Sequence, residues 1–313
     1  MIQKKVFSQR KFYQKKRSLE GKLNLFLCLF LIFGILPIFI TSFFGRMELE
    51  DSVLNRPKER ESELESILPQ MAAKQISIHM SKEVIKAQCV IARTQFMAAK
   101  EKGEEIPDSY SVSKLQELWG ARFEEYYKKL QECVEATAGE VLQYQGNYIY
   151  GAYHQVSAGN TRNMSEYYEK SAMPYLTGTS CHEDSLADGY LNVYFWTKEE
   201  FLSLCKSAFP EEQITGGNDI QIQKRDSAGY VLEVLVGQTL YEGEAFRKKL
   251  NLPSACLELT LVEDNIRIVT MGQGHGFGVS QHMAEILAEE GKTYQEILQY
   301  FYKDVELITI TAE

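Results

Sequence analysis

Gly274-His275-Gly276-Phe277-Gly278-Val279-Ser280-Gln281 gathers several chemically capable side chains on one short stretch. Glycines at alternating positions belong to neither a stable strand nor a stable helix. Gly stands where the backbone needs positive φ or where another group must approach closely. The stretch therefore predicts a tight loop that holds an imidazole, a hydroxyl and a carboxamide just before a helix, which is how a polar site is built. A Ser nucleophile is not indicated, because the loop is not G-x-S-x-G and no Asp stands out as a third member.

Two further polar sets need positioning. Lys86, Gln88, Arg93 and Thr94 are embedded in a helix predicted from Lys82 to Lys100, whose apolar residues cover more than one stripe, so the helix is mostly buried. A buried Arg demands partners. It either fixes the helix register through an ion pair or belongs to a polar face that looks into a cleft. His154, Ser157 and Thr161 form the third set, on a strand and the turn after it.

The elements around these sets read as α+β. Ser81 is placed as an N-cap with Glu83 in the first turn, complementing the helix dipole. A second helical run covers residues 113–136. Strands are predicted at 141–144, 148–156, 190–196, 220–225, 231–236, 257–262 and 266–271, with turns at Gln145-Gly146-Asn147 and Arg225 to Gly229. A helix runs from Ser280 to Glu290 and stops at Gly291, and Thr293-x-x-Glu296 is a capping box opening the last one. Helices early and late with strands between, and no alternating βα units, give an α+β chain with short antiparallel strands.

Charge is uneven. The net charge is −9, yet residues 1–22 hold eight Lys or Arg against Glu20 alone, so that segment is +7 and the rest is −16. The acidic remainder has no basic footprint and excludes a nucleic-acid role for the folded part. Twenty residues without a charge, Leu25 to Phe44, follow the basic tail, enough to cross a bilayer core of roughly 30 Å. No small-x-small site follows, so the expectation is an uncleaved anchor with a cytoplasmic N-terminus and an extracytoplasmic remainder. Outside that span stand Cys89, Cys133, Cys181, Cys205 and Cys256. An odd number without a C-x-x-C pair is no disulfide framework, and these cysteines are expected to be buried small hydrophobes. Cys181-His182 is an isolated adjacency, so neither a metal nor another cofactor is expected.

Three segments together resemble the SpoIID/LytB family. Glu83-Val-Ile-Lys-Ala-Gln-Cys-Val-Ile-Ala-Arg-Thr94 resembles its E-A-L-K-A-Q-A-V-A-A-R-T signature. GHGFGVSQ with Gly291-Lys-Thr-Tyr-Gln-Glu-Ile-Leu298 is similar to its G-H-G-x-G-x-S-Q and G-x-x-Y-x-x-I-L segments. Tyr153-His154-x-x-Ser157-Ala158-Gly159-Asn160-Thr161 is similar to its H-x-x-S-G-G-x-T, with Ala158 in place of one glycine. The resemblance covers a SpoIID-like domain at 62–305; charge and hydropathy place before it a basic cytoplasmic tail at 1–24, a transmembrane helix at 25–44 and a charged spacer at 45–61, and a C-terminal tail is left at 306–313. The resemblance implies that the protein faces the cell wall. Its partners would be peptidoglycan glycan strands and other wall hydrolases or sporulation membrane proteins.

The chemistry implied is lytic transglycosylation by one carboxylic acid, which protonates the glycosidic oxygen and then serves as base while the sugar's own hydroxyl closes an anhydro ring. LytB-type members are instead amidase enhancers. The family's catalytic Glu lies eight residues before the Glu of E-A-L-K, and that place holds Gln75. An amide delivers no proton near neutral pH, although it still donates a hydrogen bond. General acid–base catalysis is worth roughly 10²- to 10⁴-fold, so cleavage is expected to be reduced or absent unless Glu83 or His79 substitutes. Glu83 reads otherwise as a helix N-terminal charge and His79 as a surface residue.

The implied glycan-binding set is Gln88, Arg93, His154, Ser157, Thr161, His275, Ser280 and Gln281. For His275 the competing reading is a ring that locks its own loop. For Ser280 it is an N-cap, and for Gln88 and Arg93 it is internal satisfaction of carbonyls. Tyr167, Tyr168 and Trp196 are aromatic faces that either stack on sugar or pack in the core.

Overall fold

A helix that is apolar on more than one stripe has to be surrounded. In the computed structural model, which describes residues 64–168 and 173–310, this holds for the helix that carries Gln88 and Arg93. A first helix, α1, is described over residues 64–75. The surrounded helix, α2, is Lys82–Lys102, and it is buried from Val84 to Thr94 except at Lys86. It ends on Gly103 at φ 66, a left-handed cap. Ser81 stands at the N-cap but makes no side-chain capping bond; its backbone N–H donates to both carboxylate oxygens of Glu285 instead.

The helical run expected at 113–136 is broken in two. Helix α3, Val112–Trp119, and helix α4, Phe123–Ala136, flank a 3₁₀ turn at Gly120–Arg122, and Gly120 has a φ of 50. A positive φ at glycine is what an uninterrupted helix does not allow. Strands β1, Glu140–Tyr144, and β2, Asn147–Tyr148, are joined through Gln145 and Gly146, both at positive φ (51 and 79), as a two-residue hairpin requires.

The strand expected over 148–156 survives only as β2 and as β3, Tyr153–His154. Between them the Ala152 carbonyl accepts from the Val279 N–H and the Tyr302 hydroxyl, so it is taken by side elements rather than by a strand. After a short α5, Met164–Tyr167, β4, Leu191–Thr197, leads into α6, Lys198–Ala208. Thr197 and Glu200 form the capping box of α6, a signal the strand-centred sequence reading passes over.

Strands β5, Ile220–Arg225, and β6, Val231–Val236, make the expected hairpin, continued by β7, Thr239–Glu242, and α7, Gly243–Lys249. Strands β8, Leu257–Val262, and β9, Asn265–Met271, pair antiparallel, and β9 also pairs with β4. The glycine loop then delivers β10, Val279–Ser280, parallel to β3. Helices α8, Gln281–Glu289, and α9, Tyr294–Phe301, follow, capped as expected by Ser280 and by the Thr293–Glu296 box. Residues expected as a terminal tail form β11, Glu306–Thr309, which pairs antiparallel with β1.

All described elements belong to one compact unit with two main cores. One surrounds α2. The other lies between the β4–β9–β8 and β5–β6–β7 sheets and α6. Apart from the two-residue β3–β10 pairing the strands are antiparallel, which fits α+β. No described helix is long and apolar enough to cross a membrane, and the span expected at 25–44 lies outside the described residues.

Arg93 is fully buried in the α2 core. Its Nε and Nη2 donate to the two Glu65 oxygens at 2.7 and 2.9 Å, Nη1 donates to the Glu140 carbonyl at 3.1 Å, and Nη2 donates to the Val134 carbonyl at 3.3 Å. One guanidinium thus ties together α1, α2, the end of α4 and β1. Removing one partner of a buried pair leaves the other charge uncompensated. Glu65→Gln is expected to lower unfolding free energy by about 2–3 kcal/mol, below the full buried-pair cost because Glu65 is partly solvated. Denaturant titration checks this, and an unchanged midpoint would remove Arg93 from its organising role.

Candidate functional site

Gln75 is the last residue of α1, where helix carbonyls lack intrahelical donors. Its backbone carbonyl accepts from Gln281 Nε2 at 2.8 Å. Its side chain sits inside a directed row of amides. Gln281 Nε2 also donates to Gln88 Oε1 at 3.1 Å, Gln88 Nε2 donates to Gln75 Oε1 at 2.8 Å, Gln75 Nε2 donates to Gln95 Oε1 at 3.0 Å, and Gln95 Nε2 donates to the Gly151 carbonyl at 2.7 Å. Each amide is donor to the next, so every one has a fixed sense, and a chain of this kind polarises its members cooperatively. The loop from α1 to α2 is held by Lys129, whose Nζ donates to the carbonyls of Ile78 and Met80 at 2.8 and 2.6 Å.

Two depressions flank Gln75. One, of about 450 Å³, includes Gln95, Lys102, Tyr150 and Tyr153. The other, of about 620 Å³, includes Gln155, Asp188, Gln281 and His282. Lys74 and Gln75 line both and form the saddle between them. A third depression of about 590 Å³ shares Lys102 and Tyr150 with the first and adds Tyr144 and Tyr148. The depressions adjoin as a groove with Gln75 along its course and the exposed Tyr150 in its lining. Its lining combines amides, tyrosines and charged side chains, among them Lys74, Lys102, Glu104, Asp108 and Asp188.

Of the residues expected in the site, Gln75, Gln88 and Gln281 come together here. Arg93 is the α2 tie described above. Glu83 pairs with Lys86 at 2.6 Å and accepts from the Tyr294 N–H at 2.9 Å, so it serves the start of α9. His79 is exposed and meets the Tyr126 ring edge-on at 5.5 Å. Neither Glu83 nor His79 lines the depressions beside Gln75. Thr161 Oγ1 donates to the Thr177 carbonyl and accepts from the Thr179 N–H. Tyr167 donates to Glu242 and lies over Arg162, and Trp196 stacks on Tyr194 against the second core. The exposed Tyr168 packs edge-on against Tyr167.

The glycine loop packs rather than opens. A Cβ on Gly278 would lie 1.9 Å from the Ala152 carbonyl oxygen, and one on Gly276 would strike the Tyr230 ring. His275 Nδ1 accepts from the Phe277 N–H at 3.0 Å, and His154 Nδ1 pairs with the Phe277 carbonyl at 3.0 Å. The His275 carbonyl accepts from Arg162 Nη1 at 3.2 Å. Burial pushes the His154 imidazole down to about 3, helped by His275; burial and the nearby Arg162 push His275 down to about 4. Both are neutral bases near pH 7. Arg162 itself is fully buried with Asp226 at 2.6 Å and among the rings of Tyr230 and Phe277.

Ser157 and Ser280 converge on a residue the sequence reading did not single out. The buried Asp184 accepts at Oδ2 from the Ser157 N–H and the Ser280 hydroxyl, both at 2.7 Å, and its Oδ1 meets His282 Nδ1 at 3.1 Å. His282 directly follows the Ser-Gln pair, which was the available signal. Asp184 lies in a short 3₁₀ turn, His182–Leu186, with no pattern to betray it. The five described cysteines are free and buried; burial raises Cys181 to about 12, so it is no thiolate nucleophile. Among the described residues no cluster of three or more His, Cys, Asp or Glu is arranged to hold a metal ion.

The family model for stage II sporulation protein matches residues 58–144, a stretch that takes in Gln75, Gln88, Arg93 and Gln95. Stage II sporulation protein D of Bacillus amyloliquefaciens is 29% identical over 258 residues, covering 78% of this chain and 74% of that protein. Stage II sporulation protein D of Bacillus subtilis (strain 168) is likewise 29% identical, over 260 residues, with 78% and 74% covered. The chain is thus similar to the SpoIID family, over its matched segment and over most of these relatives' length. The amidase enhancer of Bacillus subtilis (strain 168) is 23% identical over 277 residues, which is 72% of this chain and 38% of that protein. The SpoIID family segment therefore contains the saddle of the groove and the tie that fixes it.

The neutral imidazoles give a sign for pH dependence. His154 and His275 have folded values below the ordinary 6.5. Between those values the unfolded chain binds protons that the folded chain refuses. Their contribution is complete above pH 6.5 and is lost as pH falls toward about 4 for His275 and about 3 for His154. The thermal midpoint is expected to fall already between 6.5 and about 5, above the ordinary carboxylate range. His275→Asn should flatten that decline in a calorimetric pH series, and a flat native profile would contradict the assignment.

Proposed function

We propose that this is a membrane-anchored, wall-facing protein of sporulation that binds peptidoglycan glycan strands in the groove and cuts them weakly or not at all. The observation that carries the reading is Gln75 on the saddle of a groove, locked by Gln88, Gln95 and Gln281. The sporulation and amidase-enhancer names of the relatives support the wall-related role. The basic tail at 1–24 and the uncharged run at 25–44 support the anchor, with the N-terminus cytoplasmic and the groove extracytoplasmic. The motif spacing supports position 75 as the counterpart of the family's acid, where an amide would hydrogen-bond a glycan oxygen without protonating it.

The surroundings of Gln75 suit a neutral acid as well as an amide. Gln95 Nε2 is committed to the Gly151 carbonyl, so Gln95 offers only its oxygen to position 75. A Glu side chain there would have to carry a proton to satisfy that oxygen. The C-terminal end of α1 also disfavours a negative charge. Both effects hold a carboxyl in the protonated state that a general acid needs.

The test uses the full chain in detergent and denuded glycan strands, scoring strand binding and anhydro-saccharide products. Native protein is expected to bind with little turnover. Gln75→Glu should bind similarly and raise product formation ~10²- to 10⁴-fold. A native chain that cuts as fast as the Gln75→Glu variant would sink the weak-cleavage reading, and absence of strand binding would sink the groove assignment.

A further inference from the structure

The depression on the far side of Gln75 contains a built arrangement that the amide row does not use. Asp184 is fully buried, and a buried carboxylate has to be matched by donors. Two donors, the Ser157 N–H and the Ser280 hydroxyl, both go to Oδ2. Oδ1 is left to His282 Nδ1. Among the described residues no Lys or Arg forms an ion pair with Asp184; its partner of that kind is His282. The backbone also holds this His in place, since the His282 N–H donates to the Gln155 carbonyl at 3.0 Å.

The His282 side chain is 27% exposed, and it lines the same depression as Gln75. It is next in sequence to Gln281, which touches the Gln75 carbonyl directly. A carboxylate on Nδ1 fixes the tautomer and the ring plane and leaves Nε2 as the free nitrogen. The charged groups that share this depression are Lys74 and Asp188, and Glu285, one turn along α8, is engaged by the Ser81 N–H.

We propose that His282 is the proton-transfer group of this groove and that Asp184 is its positioning residue. The proposal rests on the glycan reading above and identifies the source of whatever cleavage the native chain retains. The imidazolium Nε2–H passes its proton to the bridging glycosidic oxygen. The C1–O bond breaks, and its electron pair stays with that oxygen, now a free hydroxyl on the departing sugar. The C6 hydroxyl oxygen of the sugar left at C1 bonds to C1, and its proton returns to Nε2. One strand becomes two, one ending in a 1,6-anhydro ring. No water or oxidant is consumed, and the imidazolium is regenerated. One imidazole that gives and then takes a proton thus completes a reaction in which Gln75 only holds the strand.

The experiment compares native full chain, His282→Ala and Asp184→Asn on denuded glycan, with strand binding, anhydro-product rate, pH profile and thermal midpoint measured together. Native protein should give slow product. His282→Ala should lose that product ~10²-fold or more while strand binding is retained, and added imidazole should restore part of the rate. Asp184→Asn should displace the pH profile. Because Asp184 is buried, His282→Ala with imidazole rescue is the arm that does not depend on that variant folding. Strand binding by native protein with no anhydro product overturns the proposal alone. Undiminished product from His282→Ala, or loss that imidazole does not rescue, also overturns it. Failure of native protein to bind strands overturns the glycan reading and this proposal with it.

Discussion

Helix α2 has no solvent face through its middle turns, yet it carries an arginine, a threonine and two glutamines. Each of these polar groups has to find a partner inside the protein, because an unpaired one in the core costs more than most packing contacts return. The partners they find define the fold around them. Arg93 collects α1, α4 and β1. Thr94 accepts from the Leu142 N–H and so fixes β1 against the helix. Gln88 and Gln95 take hold of Gln75 and, through it, the end of α1. The groove exists where that last obligation is met at the surface.

This explains why the site around Gln75 can be held rigid by neutral amides. A row of amides that all donate in one direction is satisfied only as a set, so moving any member strands a donor or an acceptor elsewhere. Gln75 is the member that borders the groove on both sides. Its amide differs from a carboxylic acid by one group of similar size, and the neighbours accept either. The shape of the groove beside Gln75 is therefore set by Gln88, Gln95 and Gln281, independently of which group of that size stands at position 75.

Much of this was legible in the residues themselves. Periodicity found α2 and its burial, the strands of the second core, and both capped helices at the C-terminal end, because local signals govern those elements. The strand expected across 148–156 failed because Ala152 gives its carbonyl to Tyr302 and Val279, contacts formed with residues far along the chain. The glycine loop marked a constrained backbone correctly, but spacing alone does not say whether a close approach comes from a ligand or from the protein. Here Ala152, His154 and Tyr230 make that approach. Asp184 was invisible for a related reason: its role arises only when a 3₁₀ turn meets the start of α8, and neither segment carries a trace of the other.

The pairing of β11 with β1 has a consequence for how the molecule comes into being. Residues 140–143 wait for partners at 306–309, and the amide contact between Gln281 and the Gln75 carbonyl closes 206 residues of chain. Contacts of such separation form late, after the loop entropy has been met by other interactions. A growing chain can assemble helices and the second core's hairpins, but it cannot present a finished groove. The groove is therefore finished only once residues 281–309 have joined segments that precede them by some two hundred residues.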